Sequence, residues 1–275
     1  MSSLTITLIQ TDLVWENKKT NLELLSKKIE SIKEKTEIII LPEMFSTGFT
    51  MNVEKLAEDM NGETIQWMKK TAAEKKVIIT GSLIIKEKDP SPSERAGGEI
   101  FFNRLIWMLP NGEYGTYDKR HLFAYGNEHT KFTPGKKRLI TSVKGWKINL
   151  QVCYDLRFPV WSRQSFNKAQ DDKEYDVLMY VANWPQQRIH AWKSLLVARA
   201  IENQCYTVGV NRVGNDGNNI YHNGCSMIVD PLGEMIYCKE MEEDIFTYIL
   251  QKEKVIQTRE KFPFWKGADS FNINT

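Results

Sequence analysis

Residues Leu150–Arg163 read LQVCYDLRFPVWSR, where a predicted strand gives way to a helix. The apolar run Ile148–Val152 ends on Cys153, and Pro159 with Trp161 then begins the predicted helix. A strand that ends at a cysteine and turns into a helix exposes the sulfur at a sheet edge. It also directs the next backbone N–H groups at whatever the sulfur attacks. The alternative is that Cys153 is a small buried hydrophobic residue, as most free cysteines are.

Strands and helices alternate in the first third of the chain. A strand is predicted at Leu4–Ile9, a helix at Asn17–Lys33, a strand at Glu37–Leu41, a helix at Thr64–Lys75 and a strand at Val77–Ile85. The run EIIIL, which ends at Leu41, is continuously apolar, as is typical of a strand buried on both faces. This alternation predicts helices packed on a sheet.

The rest of the chain is predicted to consist mainly of further strands. The polar segment Lys86–Glu99, KEKDPSPSERAGGE, is typical of a surface loop. Short turns containing Pro, Asn, Asp and Gly indicate two hairpins. The other predicted elements are the hairpin strands Phe102–Leu109, Tyr114–Tyr117, Ser226–Val229 and Met235–Tyr237, the strands Val177–Val181, Cys205–Val210 and Ile245–Leu250, and the helix Arg188–Asn203. Together they predict one mixed α/β domain over residues 1–275, with two layers of sheet between layers of helix.

The last segment, residues 252–275, is predicted to be a C-terminal tail. It carries the aromatic residues Phe262, Phe264 and Trp265. Apolar rings on a terminal segment usually dock on another surface. We therefore expect the tail to take part in packing or in contact with a second subunit.

The composition excludes some classes of partner. The 275 residues have a formal net charge of +2, so no strongly basic face for nucleic acid is expected. No apolar stretch approaches the ~20 residues that a membrane span needs. The N-terminus, MSSLTITLIQ, lacks the basic start and long apolar segment of a signal peptide. We expect a cytoplasmic protein that binds neither nucleic acid nor membranes.

Cysteine usage favours free thiols over a disulfide framework or a metal site. The four cysteines form no CxxC pair and no dense framework; they are Cys153, Cys205, Cys225 and Cys238. Such usage is typical of a reducing compartment. The four histidines show no metal-ligand spacing with cysteine, so a metal site is not predicted.

Three charged residues occupy places where they can serve a thiol. Glu43, in LPEMF, follows the buried strand, and the carboxyl end of a strand is where α/β sheets bind ligands. It can act as a general base; the alternatives are a helix N-cap or a surface glutamate. Lys119, in YDKRHL, also follows a strand and can stabilise an oxyanion and depress the pKa of a thiol, or be a solvated charge. Glu128, in GNEH, can orient Lys119 or pass a proton.

One sheet edge can gather Glu43, Lys119 and Cys153, because each follows a predicted strand. An acyl-transfer enzyme with a thiolate nucleophile needs this arrangement.

The ordered segments LPEMF, YDKRHLF, GNEH and CYDLRFP resemble the nitrilase superfamily of carbon–nitrogen hydrolases. The resemblance runs from Thr5 to about Tyr248. Four longer runs are most similar to the bacterial omega-amidases, which deaminate the ω-amides of α-keto acids such as 2-oxoglutaramate; they are CYDLRFPVWSR, YVANWP, ARAIENQ and NRVGNDGN.

The resemblance implies a fold, an activity and roles for residues. The implied fold is a four-layer α-β-β-α sandwich, commonly dimerised through helices. The implied activity is hydrolysis of small α-keto acid amides, 2-oxoglutaramate and 2-oxosuccinamate, through a cysteine thioester without cofactor or metal. Glu43 matches the general base, Lys119 the oxyanion-stabilising lysine, Cys153 the nucleophile and Glu128 the second glutamate, and the N–H of Tyr154 would complete the oxyanion hole.

Two further residues are candidates for binding the substrate. Arg157 lies four residues after Cys153, so its guanidinium can face the same pocket and bind a carboxylate. The alternative is a structural ion pair with Asp155 or Glu202. Trp184 follows a predicted strand and can form a pocket wall, although an aromatic residue there is as often part of the core.

Two other functions stay open. One is a sister activity of the superfamily, such as N-carbamoyl-amino-acid hydrolase or a true nitrilase. The other is a non-catalytic binding protein on the same scaffold, against which the complete set of motif residues argues.

Overall fold

The structure is a computed structural model that describes residues 2–89, 98–164, 175–269, 271 and 273. The first of its two sheets contains β1 (Ser3–Gln10), β2 (Ile38–Ile40), β3 (Ile78–Lys88), β4 (Glu99–Met108), β5 (Tyr114–Asp118) and β13 (Asp244–Gln251). The strand order is β13-β1-β2-β3-β4-β5. The three strands β1, β2 and β3 are parallel, and the other pairings are antiparallel.

The second sheet has the same design, with parallel strands in its middle. It contains β6 (Leu139–Val143), β7 (Trp146–Val152), β8 (Val177–Val181), β9 (Tyr206–Val210), β10 (Val213–Asn215), β11 (Tyr221–Val229) and β12 (Met235–Glu240). The order is β10-β11-β9-β8-β7-β6, with β12 also paired to β11. Here β7, β8 and β9 are parallel.

The helices are α1 (Lys18–Glu30), α2 (Val53–Leu56), α3 (Glu63–Lys75), α4 (Glu128–Lys131), α5 (Pro159–Ser162), α6 (Ile189–Asn203) and α7 (Lys252–Lys261). Asn17 begins α1, because its side-chain oxygen accepts a hydrogen bond from the N–H of Thr20. Short 3₁₀ turns lie at Ala124–Gly126, Cys153–Arg157, Gln186–Arg188 and Phe264–Gly267.

Two apolar clusters hold these elements in four layers. Buried residues of both sheets, among them Trp107 and Leu150, belong to one cluster that also includes Leu196 of α6. A second cluster joins α1 and α3 to the first sheet and includes Met68 of α3 and Ile39 of β2. The sequence prediction of a four-layer α-β-β-α sandwich is confirmed.

The prediction of a surface loop at Lys86–Glu99 is wrong at both ends. Strand β3 continues to Lys88, which pairs with Glu99 at the start of β4. Lys86 also forms an ion pair with Glu99 across the hairpin, at 2.7 Å. Polar residues are compatible with an exposed hairpin arm, so polarity does not end the strands. Residues 90–97, the centre of the predicted loop, lie outside the described residues.

Strand β6 has no counterpart in the sequence prediction. It pairs with β7 through a two-residue turn at Lys144 and Gly145, with φ of +50° and +79°. Two positive φ angles are typical of the tight hairpin turns that match strand twist, and a glycine in the turn tolerates them.

The predicted tail is in part a helix. Helix α7 buries Val255 and Thr258 against this same chain. After it, the carbonyl of Phe262 accepts a hydrogen bond from Gln204, while Phe264 is 74% exposed. Contact of this segment with a second subunit stays a prediction.

The prediction of free thiols is wrong for two of the four cysteines. Cys225 of β11 and Cys238 of β12 form a disulfide, whereas Cys153 and Cys205 are free. The two strands are neighbours, and an irregularity in their register at Cys225 brings its sulfur to Cys238. The two cysteines are 13 positions apart and form no CxxC pair, so their spacing gave no signal. Separately, no helix in the described part of the chain has the length and hydrophobicity needed to cross a membrane.

Candidate active site

The structure brings the sequence-predicted residues to one cavity, but they come from two different sheets, so the prediction that one sheet edge gathers them is wrong. Glu43 follows β2, Lys119 follows β5 and Cys153 follows β7. The cavity has a volume of about 580 Å³. Its walls include six of the seven predicted residues: Glu43, Lys119, Cys153, Tyr154, Arg157 and Trp184. The seventh, Glu128, lies behind Lys119.

Lys119 is held between two buried carboxylates. Its Nζ lies 2.8 Å from Oε1 of Glu43 and 2.9 Å from Oε2 of Glu128. All three side chains are at most 1% exposed. Buried charges persist only when they are paired and hydrogen-bonded, so these three groups depend on one another.

Asn103 of β4 connects the two carboxylates, and sequence reasoning missed it. Its Nδ2 donates to Oε1 of Glu43 at 2.8 Å and to Oε1 of Glu128 at 3.0 Å. The backbone carbonyl of Asn103 also accepts a hydrogen bond from the backbone N–H of Lys119, at 3.0 Å. The available signal was the one amide of β4, which stands beside Arg104 in the otherwise apolar run FFNRLIWM. A buried amide of this kind must find partners.

Asn183, which follows β8, fixes Glu43 from the second sheet. Its N–H donates to Oε2 of Glu43 at 2.8 Å, and its Nδ2 donates to the Glu43 carbonyl at 2.5 Å. The carboxylate of Glu43 thus accepts bonds from Lys119, Asn103 and Asn183. Its position is set by three separate elements of both sheets, as a precisely placed base requires.

Cys153 stands on a strained turn. Its φ is +44°, a conformation that costs energy for a residue other than glycine and that often occurs at functional sites. Asp155 holds the turn, since its carboxylate accepts the N–H of Val152 at 3.0 Å, the hydroxyl of Tyr117 at 2.7 Å and the N–H of His121 at 2.9 Å. Cys153 is 9% exposed and lines the cavity.

Tyr154 is the second residue of this 3₁₀ turn. Backbone N–H groups in a first helical turn have no carbonyl partner within it. The Tyr154 ring packs edge-on against Phe123 and Phe158, with centroids 5.1 Å apart in each case. The backbone at Tyr154 is therefore anchored from both sides.

The electrostatic setting keeps the thiol protonated at rest. Burial raises the pKa of Cys153 well above its ordinary value, the charge of Glu43 raises it further, and Lys119 opposes both. The expectation that Lys119 depresses the thiol pKa is thus outweighed. Burial lowers the pKa of Lys119, but Glu128 and Glu43 reverse this and raise it, so the ammonium stays charged.

The pKa of Glu128 also reflects two opposing effects. Burial raises its pKa and Lys119 lowers it, with a net rise. Its Oε2 accepts the N–H of Phe123 at 2.6 Å. Because Glu128 contacts the lysine and is absent from the cavity wall, the geometry suits it to positioning Lys119.

Arg157 has no carboxylate partner among the described residues. Of the alternatives, Asp155 is occupied by the contacts given above, and Glu202 pairs with Arg199 at 3.2 Å. The Arg157 guanidinium instead lies over the ring of Trp184, 4.9 Å from its centroid.

Trp184 is both wall and core. It is 3% exposed, packs on Trp192 with ring centroids 5.4 Å apart, and lines the cavity. Its N–H donates to Oδ1 of Asn211 at 2.7 Å. The two interpretations of Trp184 made from sequence therefore hold together.

Within the described residues, one group of three side chains has the spacing of a metal site: Cys225, Cys238 and Glu240. Because the two sulfurs are joined in a disulfide, they are not available as thiolate ligands.

Comparison with known proteins shows the family to which the chain belongs. The Carbon-nitrogen hydrolase family model matches residues 5–260. The Omega-amidase YafV of Escherichia coli (strain K12) is 39% identical over 276 residues, which cover 99% of this chain and 100% of that protein. The 2-oxoglutaramate amidase of Bacillus subtilis (strain 168) is 30% identical, covering 94% of this chain and 95% of that protein.

One solved structure has a similar sequence identity to this chain. XC1258 from Xanthomonas campestris is a CN-hydrolase superfamily protein whose structure holds an arsenic adduct in the active site. It is 39% identical, covers 100% of both chains and superposes with a TM-score of 0.91. The chain therefore belongs to the carbon–nitrogen hydrolase family, as its four ordered motifs indicate.

Proposed function

We propose that the protein is an omega-amidase that hydrolyses the terminal amide of small α-keto acids, such as 2-oxoglutaramate and 2-oxosuccinamate. The products are the dicarboxylate and ammonia. One observation carries the proposal: the Cys153 thiol shares a cavity with the buried Glu43–Lys119 pair and with the Arg157 guanidinium. The names of the Escherichia coli and Bacillus subtilis relatives support the same substrate class.

The first half of the reaction forms a thioester. Glu43 takes the proton of Cys153 as sulfur attacks the amide carbon, because a thiol with a raised pKa is a weak nucleophile by itself. Nζ of Lys119 and the N–H of Tyr154 stabilise the tetrahedral oxyanion. Glu43 then gives its proton to the leaving nitrogen, the carbon–nitrogen bond breaks and ammonia departs.

The second half releases the acid. Glu43 takes a proton from water as the water oxygen attacks the thioester carbon, and the same oxyanion site holds the negative charge. The carbon–sulfur bond then breaks, and the thiolate regains its proton from Glu43. Glu128 positions Lys119 throughout, consistent with its 2.9 Å contact on the side away from the cavity wall.

Arg157 supplies the selection for an acid. A substrate that offers its amide to Cys153 must place its carboxylate elsewhere in the cavity, and a buried carboxylate without a partner is costly. The guanidinium of Arg157 lies in the cavity wall, steadied by the ring of Trp184. It can donate two parallel N–H hydrogen bonds to that carboxylate.

The test measures ammonia release from 2-oxoglutaramate, an N-carbamoyl amino acid and a nitrile. We expect kcat/KM to be highest for 2-oxoglutaramate. Arg157→Ala should lower kcat/KM for 2-oxoglutaramate by about 10- to 100-fold, the usual value of a hydrogen-bonded charge, and should lower it much less for an uncharged amide of similar size. Arg157→Lys keeps the charge without the bidentate geometry, so its kcat/KM for 2-oxoglutaramate should lie between those of the unsubstituted enzyme and Arg157→Ala.

Two outcomes would contradict this assignment. Preference for the carbamoyl substrate or the nitrile would favour a sister activity of the superfamily. Equal losses on the charged and the uncharged amide would make Arg157 structural.

We further infer that the protein forms a homodimer, with the segment after α7 contributing to the contact. Exposed apolar side chains support this: Val160 on α5, Ile201 on α6, Ile256 on α7 and Phe264 in the following turn are at least 40% exposed. Sedimentation velocity should give twice the chain mass of 32.0 kDa. Phe264→Asp should weaken the dimer, whereas Tyr114→Asp on the edge strand β5 should not. A concentration-independent monomer in the unsubstituted protein would refute the inference.

A further inference from the structure

We propose that Arg188 joins Arg157 in a two-guanidinium cradle that binds the carboxylate and the adjacent keto oxygen of the substrate. The proposal rests on the omega-amidase function and specifies how the site recognises the α-keto acid end. Arg188 is half-buried and lines the same cavity as Cys153 and Arg157. The sequence gives it no distinguishing mark, because an arginine at the start of a helix is usually a solvated charge.

The backbone of Arg188 is hydrogen-bonded to Trp184, the residue on whose ring the Arg157 guanidinium lies. The Arg188 carbonyl accepts the Nε1–H of Trp184 at 2.8 Å, and its N–H donates to the carbonyl of Pro185 at 3.0 Å. The guanidinium of Arg157 lies on the face of the same Trp184 ring. One rigid unit, built from a strand end, a 3₁₀ turn and the start of α6, therefore positions both cations.

The guanidinium of Arg188 rests on aromatic rings. Its Cζ lies 5.0 Å from the ring centroid of Phe123 and 6.0 Å from that of Tyr125, both of which line the cavity. No ion pair joins it to a carboxylate in the part of the chain that the structure describes. Such stacking holds the planar group in place and leaves its N–H edge for another acceptor.

The positive charges of Arg157 and Arg188 also interact electrostatically. Burial lowers the pKa of Arg188, the Cys153 sulfur opposes this when it is ionised, and the positive charge of Arg157 lowers the pKa further. Two cations held at one cavity wall repel each other, and a bound anion relieves that repulsion. The pair therefore favours an anionic ligand beside the nucleophile.

The chemistry of the ligand explains why two guanidinium groups are present. A 2-oxo acid offers three acceptor oxygens at one end, two on the carboxylate and one on the keto group. One guanidinium engages the carboxylate bidentately, and the second donates to the keto oxygen and the nearer carboxylate oxygen. A saturated monoamide lacks the keto oxygen, so it leaves donors of the second guanidinium unpaired.

The experiment compares 2-oxoglutaramate with glutaramate, which carries a methylene in place of the keto group. Arg188→Ala should lower kcat/KM for 2-oxoglutaramate by about 10- to 100-fold and for glutaramate by several-fold less, so that the preference between them shrinks. Arg188→Lys should keep part of the preference. Lys193→Ala is the matched control, because Lys193 lies on α6 and pairs with Glu240 at the surface. It should leave both rates unchanged.

A binding measurement separates the cradle from the proposed function. In the Cys153→Ala background, calorimetry should show 2-oxoglutarate binding at least about 10-fold more weakly once Arg188 is also alanine, with a smaller loss for glutarate. If the unsubstituted enzyme hydrolyses 2-oxoglutaramate but Arg188→Ala affects both substrates equally, the cradle is wrong and the function stands. If 2-oxoglutaramate is not a substrate, the function is wrong, and the calorimetry alone decides the cradle.

Discussion

Replacement of Cys153 by alanine is expected to abolish amide hydrolysis while the protein keeps its fold. The loss should be on the order of 10⁴- to 10⁶-fold, the size seen when a covalent hydrolase loses its nucleophile. No other described cysteine can take its place. Cys205 is fully buried and burial raises its pKa to about 12, and Cys225 and Cys238 are joined to each other.

Two measurements accompany the assay of the Cys153→Ala variant. Circular dichroism should show an unchanged spectrum and a thermal midpoint close to that of the unsubstituted protein. Iodoacetamide under non-reducing conditions should give one adduct, at Cys153, and none in the variant. Cys205→Ala should retain much of the activity, because Cys205 lies outside the cavity wall. A near-normal rate for Cys153→Ala would end the thioester mechanism.

The position of the main site residues was predictable from sequence because each follows a predicted strand; β2 and β7 are apolar and buried, whereas β5, which reads YGTYD, is mostly polar. Glu43 follows β2, Lys119 follows β5 and Cys153 follows β7. Apolar runs report burial, and the residue after a buried strand is placed at the sheet edge. Alternation of strands and helices likewise predicted the layers. It left the strand order open, because strand pairing is a long-range property.

The residues that hold the site together were less predictable. Asn103 and Asn183 lie 80 positions apart in sequence and meet only at Glu43. The local sequence around each residue does not reveal its partner, because that partner depends on how the two sheets stack. Arg188 is a similar case, because its aromatic partner Phe123 comes from a distant loop. The disulfide also depends on one irregularity in the pairing of β11 with β12.

Removal of Lys119 is the second change for which a very large effect is expected. Loss of one oxyanion donor typically costs 10²- to 10³-fold in kcat, and the charge of Lys119 matters most once the oxyanion forms. Lys119→Met should therefore lower kcat by at least about 10²-fold with little change in KM for 2-oxoglutaramate. Lys131→Met, at a surface lysine paired with Glu54, should have no effect. A variant that raised only KM would show that Lys119 does not stabilise the oxyanion.

The same change should also destabilise the fold, and its pH dependence follows from the buried charges. Without Lys119, the carboxylates of Glu43 and Glu128 lose their shared cation, and breaking a buried pair costs about 3–5 kcal/mol. Lys119 normally lowers the pKa of Glu128, so in the variant that pKa rises further above its unfolded value. The folded variant then binds more protons than the unfolded chain, and its free energy of unfolding falls as pH rises. The thermal midpoint of the Lys119→Met variant should thus be closest to that of the unsubstituted protein in mildly acidic buffer.

A second substitution separates the stability of the site from its chemistry. Glu128 contacts Lys119 but lies outside the cavity wall, so Glu128→Gln removes one buried charge without touching the substrate. In the Lys119→Met background, Glu128→Gln should recover part of the lost stability near neutral pH and flatten its dependence on pH. It should not recover kcat, because the missing oxyanion donor is still absent. Recovery of activity together with stability would mean that Lys119 acts by holding the two carboxylates in place, and the oxyanion would then depend on the N–H of Tyr154 alone.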